Sequence, residues 1–177
     1  NQELSLRQRH GDIAIAATDT IKADQFNLTA DQGKVTIAGR IDAGSDAAGS
    51  VKIYGADGIA LGSTGAITAK STANGAKGGS VTLDTVHRQD ADSGLLDLSA
   101  SGAIIDVSGG SGGAGGDVHL RTGRDSNHAV AVSAINTRIT GADPNHAVLE
   151  AARVYSGESV ITNDAIQAWK ANTAEFM

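Results

Sequence analysis

The chain has no cysteine, a single proline (Pro144) and few aromatic residues: Phe26, Tyr54, Tyr155, Trp169 and Phe176. Without cysteine, nothing in its folding or chemistry depends on disulfides or on a thiolate nucleophile. That absence fits a bacterial protein that stays unfolded during export, and fits a cytosolic one equally. One proline against 23 glycines excludes both a collagen and a proline-rich linker. A compact globule normally buries more aromatics, whereas a narrow stacked core of Ile, Val, Leu and Ala has little room for them. No run of about 18 apolar residues occurs, so no transmembrane helix and no membrane insertion are expected. The 14 basic residues are outnumbered by 20 acidic ones, for a net charge of −6. Nucleic acid and anionic membranes, which need a cationic surface, are therefore not expected partners. The polar start NQELSLRQRHG is not a signal peptide, which suggests a fragment of something larger or a targeting segment already removed. The length of 177 residues suits one domain.

What is present is a repeated unit, clearest from Val51 to Ala69. Its triplets Val51-Lys52-Ile53, Ile59-Ala60-Leu61 and Ile67-Thr68-Ala69 start eight residues apart, with Gly55, Gly58, Gly62 and Gly65 in the links. Alternation over three residues suits a very short strand with two side chains inward and one outward. Three such strands joined at glycine corners make one turn of a parallel β-helix. Earlier triplets start at Ile13, Ile21, Phe26, Val35 and Ile41, and later ones at Val81, Leu96, Ile105 and Val118. The phrases GRIDA (39–43), GAITA (65–69) and AIIDV (103–107) share one phase. Each leads through a glycine-rich loop to GSVKI, GSVTL or GDVHL. The extra residues in the longer repeats fall in 84–94 and 108–116, and a solenoid tolerates such corner insertions. An antiparallel sandwich also has short strands and glycine turns. These strands are shorter than a sandwich uses, and the same triplets return in the same order.

After Arg124 the glycine corners thin, although triplets persist at Val130-Ala131-Val132, Ile139-Thr140-Gly141 and Leu149-Glu150-Ala151. The segment from Asn163 to Met177 predicts a helix, N-capped by Asn163, with Asp164 in its first turn. Ile166, Trp169, Thr173 and Phe176 fall on one face, which predicts packing against the coil. The expected organisation is a shaft segment over 1–162 and a packed C-terminal helix over 163–177.

The G-x-I-[TD]-A phrases, GGSVTL (78–83), GGAGGDVHL (112–120) and the closing stretch 139–177 resemble large exoproteins of the filamentous haemagglutinin family. The resemblance runs from about Gly11 onward and rests on repeat-like motifs with no catalytic signature. It implies a right-handed parallel β-helix, secretion to the bacterial cell surface through an outer-membrane partner transporter, and a role in adhesion, aggregation or cell contact. The implied partner is a receptor or glycan on a host or bacterial cell. The family's N-terminal secretion domain is not recognisable here, so the segment reads as shaft.

No motif carries chemistry. The glycine run 109–116 ends in Asp117-Val118-His119-Leu120, a strand pattern, where a phosphate cradle ends in Gly-Lys-Ser/Thr and opens a helix. A calcium-binding repeat would need tandem copies and a large apolar residue at His119. A flexible glycine corner is the plainer reading. His10, His87, His119, His128 and His146 show no metal-ligand spacing, and His119 is expected to face solvent. The one Gly-x-Ser-x-Gly match, Gly109 to Gly113, lies in the same glycine run, which leads to a strand pattern rather than opening a helix, so no nucleophile elbow is expected. Asn27-Leu28-Thr29 matches the glycosylation sequon by chance. Stacking would align Asp42, Thr68 and Asp106 as an outward, exposed ladder, its carboxylates about 9–10 Å apart at ordinary strand spacing. That separation resembles an inverting glycosidase pair, but no aromatic sugar platform accompanies it. The expectation is therefore no catalytic residue, no metal and no cofactor, with the ligand unspecified. The sequence reads as a structural and interaction segment of a secreted adhesin. A polysaccharide-active β-helix enzyme and the stalk of a toxin-delivery exoprotein are the alternatives.

Overall fold

A computed structural model describes residues 2–87, 94–125, 129–152 and 162–174. Three short strands per round of chain recur along it. The first round holds β1 (Glu3–Gln8), β2 (Ile13–Ile15) and β3 (Thr20–Lys22). The second holds β4 (Gln25–Ala30), β5 (Val35–Ile37) and β6 (Arg40–Asp42). The third holds β7 (Ser50–Gly55), β8 (Gly58–Leu61) and β9 (Ala66–Thr68). The fourth holds β10 (Ser80–Asp84), β11 (Leu95–Asp97) and β12 (Ile104–Asp106). β13 (Gly116–Thr122) and β14 (Arg138–Thr140) continue the series, followed by β15 (Ala142–Ala151) and the helix α1 (Asn163–Ala174).

Each strand pairs in parallel with its counterpart one round away, giving three sheets of six, four and five strands. The fold is all-β, parallel and solenoid-like, with one short helix. The phrase alignment reappears as register. Ile41 lies beside Ile67 and Ile67 beside Ile105, while Val81 sits between Val51 and Val118. The register partners Ser50 and Ser80 are 30 residues apart, and Thr85 and Thr122 are 37 apart. Part of the extra length, residues 88–93, lies outside the described residues.

The core is a set of parallel columns inside the three sheets. Phe26, Val51, Val81 and Val118 form one; Leu28, Ile53, Leu83 and Leu120 form the next; all are buried. The shorter sheets contribute Val35, Ile59 and Leu96, and Ile41, Ile67 and Ile105. Burial of each such side chain is worth about 1.5–3 kcal/mol, and neighbours of like size stack without voids. Phe26 is the one aromatic in these columns. A polar column was not foreseen. Thr85 and Thr122 are fully buried, their hydroxyls 2.9 Å apart, and Thr122 Oγ1 donates to the Ala131 carbonyl at 2.9 Å. This satisfies both hydroxyls, whose burial without a partner would be costly.

Four local expectations need correction. Thr68 is buried, at 5% exposure, because it stands in register between the longer side chains of Asp42 and Asp106. The triplet at Val130 forms no strand; Val130 bridges Arg124 antiparallel, and Val132 bridges Leu96. The N-cap of α1 is Thr162, whose hydroxyl accepts from the Ala165 N–H at 3.2 Å while its carbonyl accepts from Ile166 at 3.1 Å. Asn163 is already the first helical residue. The glycine run 108–116 is also no loose corner. It stacks on the preceding loop through Ser71 N–H to Ser108 O, Gly75 N–H to Ser111 O and Gly110 N–H to Ala76 O. The helix itself is present, but Tyr155, Phe176 and the side chain of Trp169 lie outside the described residues.

Candidate functional site

Two polar surfaces are candidates for function: the outer face of the five-stranded sheet, which carries the aspartate ladder, and that of the six-stranded sheet. On the first, register aligns Lys22, Asp42, Thr68, Asp106 and Thr140. The expected ladder exists, but its carboxylates are engaged locally. Asp42 Oδ1 accepts the Gly44 N–H at 3.2 Å, and its Oδ2 meets Arg40 at 3.4 Å. Asp106 Oδ1 accepts the Ser108 N–H at 3.0 Å and the Ser108 hydroxyl at 2.6 Å.

The same device recurs on other strands. Asp84 accepts from the Val86 N–H at 2.9 Å, Asp97 from Ser99 at 3.1 Å and Asp143 from Asn145 at 2.9 Å. An aspartate binding the amide two residues on closes an Asx turn, which bends the chain. Asp42, Asp84, Asp97 and Asp106 are each the last residue of a strand, whereas Asp143 lies near the start of β15. These carboxylates are corner posts. The Ser99 hydroxyl and backbone amide hold the Asp97 carboxyl below the ordinary aspartate range, because both bonds favour the charged form. A glycosidase acid needs the opposite environment, one that keeps a carboxyl protonated.

The outer face of the six-stranded sheet carries a charge network on β10, β13 and β15. Arg121 is sandwiched between Asp84 on one neighbouring rung, at 3.3 Å, and Glu150 on the other, at 3.2 Å. Glu150 also meets His119 Nε2 at 2.9 Å. The hydrogen bond from Arg121 chiefly holds the Glu150 carboxyl below its usual range, with His119 adding to it. At the start of these strands Asp117 receives Lys77 at 2.9 Å and His146 Nδ1 at 2.6 Å. The Lys77 hydrogen bond is the main reason its carboxyl is held low, and His146 reinforces it. His119 faces outward as expected. The missed signal was phase: VTLD (81–84) and VHLR (118–121) align, so Asp84 and Arg121 had to share a column.

Beside this network a shallow groove of about 260 Å³ runs over Asn27, Thr29, Lys52, Tyr54, Thr82 and Asp84. Its walls are the outward side chains of three successive strands. Among the described residues no group of three His, Asp or Glu side chains converges as a metal site. His128 lies outside them. Comparison with family models, with curated proteins and with solved structures finds no match for this chain.

Proposed function

We propose that this chain is a right-handed parallel β-helical shaft segment of a secreted bacterial surface adhesin, of the filamentous haemagglutinin type, that holds binding surfaces away from the cell. The observation that carries the reading is in-register stacking of the repeated phrases, Ile41 on Ile67 on Ile105 and Val51 on Val81 on Val118. Each added round extends the structure by about 4.8 Å at the spacing of paired strands. The polar outer residues do structural work: aspartates close corners, and ion pairs tie adjacent rungs. This favours the shaft over a polysaccharide-cleaving enzyme, since the two candidate carboxylates are committed to Gly44 and Ser108.

Two measurements test the proposal. Antibodies against this segment should label intact cells producing the full-length protein, and labelling should vanish when the gene for the outer-membrane transporter is deleted. Labelling that persists without that transporter contradicts the export route. Incubated with acidic and neutral polysaccharides, the segment should release no reducing ends. Turnover that disappears in the double variant Asp42→Asn, Asp106→Asn would overturn the reading in favour of an enzyme.

A further inference from the structure

The loops that lead into β10 and β13 carry the same turn in successive rounds. Ala76 N–H donates to the Ala73 carbonyl at 3.1 Å, and Gly113 N–H to the Gly110 carbonyl at 2.7 Å. The corner pairs are Asn74-Gly75 and Ser111-Gly112, with φ at +73° for Gly75 and +74° for Gly112. Glycine enters that region without steric cost. One turn lies on the other: Gly75 N–H donates to the Ser111 carbonyl at 2.8 Å, and Gly110 N–H to the Ala76 carbonyl at 3.0 Å. The seat is tight, since a Cβ at Gly110 would run into the carbonyl oxygen of Ala73 and one at Gly113 into that of Ala76. Asn74 and Gly75 are nevertheless exposed, and a Cβ on Gly75 would meet nothing within 4 Å.

Asn74 is the chain's only asparagine that precedes glycine. An asparagine in that position cyclises most readily, because no side chain on the next residue hinders its nitrogen. The Gly75 nitrogen, giving its proton to water or hydroxide, attacks Asn74 Cγ; a new C–N bond forms and the side-chain nitrogen leaves as ammonia. Water then opens the succinimide ring at one carbonyl or the other, leaving aspartate or isoaspartate at position 74.

We propose that Asn74 is a deamidation site gated by the next round of chain. The attacking nitrogen is the one whose N–H the Ser111 carbonyl holds, so the reaction runs when the 110–113 turn lifts and stops when it is seated. Lifting breaks the two turn-to-turn bonds while the strand columns stay paired, a local opening well short of unfolding. The added carboxylate is permanent and raises the negative charge of a chain already at −6. The modified fraction therefore records how long the turn has stood open. The inference concerns the stacking of loops and stands apart from any adhesive role.

Peptide mapping by mass spectrometry, with isoaspartate read by enzymatic methylation, follows the modification during incubation at mildly alkaline pH. The full-length parent is compared folded and unfolded in guanidinium. Folding should slow the reaction at Asn74 roughly tenfold or more, the factor that two net backbone hydrogen bonds carry together. Gly113→Ala, which pushes the upper turn off the Ala76 carbonyl, should bring the folded rate toward the unfolded one. Ser111→Ala keeps the accepting carbonyl and should leave the parent rate unchanged. Amide hydrogen exchange separates loop opening from loss of the fold: in Gly113→Ala the Gly75 amide should exchange fast while that of Ile105 stays protected. If Gly113→Ala loses the fold, Gly110→Ala takes its place. A folded parent that reacts at the unfolded rate overturns the proposal. So does a folded glycine variant with a fast-exchanging Gly75 amide that still reacts at the parent rate, or an unfolded chain that yields no product at Asn74.

Discussion

Ile67 and Thr68 are adjacent and both buried, yet for different reasons. Ile67 is an inward rung between Ile41 and Ile105, whereas Thr68 points outward and is shielded by Asp42 and Asp106. Ile67→Asp places an unpaired charge in the core and should cost several kcal/mol, on the order of 4 or more. Thr68→Asp puts three carboxylates on successive rungs and should cost about 1–2 kcal/mol, partly recovered in high salt. Denaturant midpoints with and without salt distinguish the two: core damage does not respond to salt, and carboxylate repulsion does. The alternating phase was legible in the triplets because period two places Ile67 inward. Exposure of Thr68 was not legible, since it depends on the neighbours one round away. Glycines divide in the same manner. A Cβ at Gly110 would run into the carbonyl oxygen of Ala73, while at Gly112 it would meet open space but with φ at +74°. Gly110→Ala should therefore cost about 1–3 kcal/mol through overpacking, and Gly112→Ala about 1 kcal/mol through backbone strain alone. Thermal melts of both variants check the order.

At the scale of the strand, corners decide where each element stops. Asp97 ends β11 by binding the Ser99 amide and hydroxyl. Those bonds hold its carboxyl below the ordinary value of about 3.9. A depressed carboxyl contributes stability that is present above the unfolded value and is lost as pH falls through the folded one. The stability difference between the parent and Asp97→Asn should thus be constant near neutrality and shrink below about pH 4. A difference that grows toward acid would contradict the corner assignment. The single proline is also explained at this scale. Pro144 sits on the edge strand β15, in the stretch where register slips between Ala142 and Ala147, so its missing N–H breaks no ladder bond there. For α1, Thr162→Ala should lower helix content by removing a cap worth about 1 kcal/mol, while Asn163→Ala should not; far-UV circular dichroism reads both. Sequence placed this helix correctly and missed its cap by one residue, because Thr and Asn are both good caps and nothing local chooses between them. The buried pair Thr85 and Thr122 was illegible for a related reason. Each follows a charged residue and looks polar, and only the cross-strand register places both inside.

For the whole molecule, the sheets and their register follow from repeated phrases, which is why so much of the architecture could be read without coordinates. The charge network on β10, β13 and β15 was harder, since His146 reaches Asp117 only through the irregular pairing of β15. Stacked rounds make one demand that no compact globule makes: a complete round is removable. Residues 50–79 span the offset between the register partners Ser50 and Ser80. Deleting them sets Phe26 beside Val81, Ile37 beside Leu98 and Ile41 beside Ile105, apolar on apolar in every column. Deleting 50–64 removes the same kind of sequence but leaves an incomplete round whose strands face the wrong sheets. The decisive measurement is amide dispersion in a ¹H–¹⁵N spectrum of the two deletion variants. Stacked rounds predict that the 50–79 deletion keeps a folded, dispersed β spectrum with somewhat lower stability, while the 50–64 deletion collapses. Collapse of both, or survival of the half-round deletion alone, would contradict the stacked structure on which the shaft proposal rests.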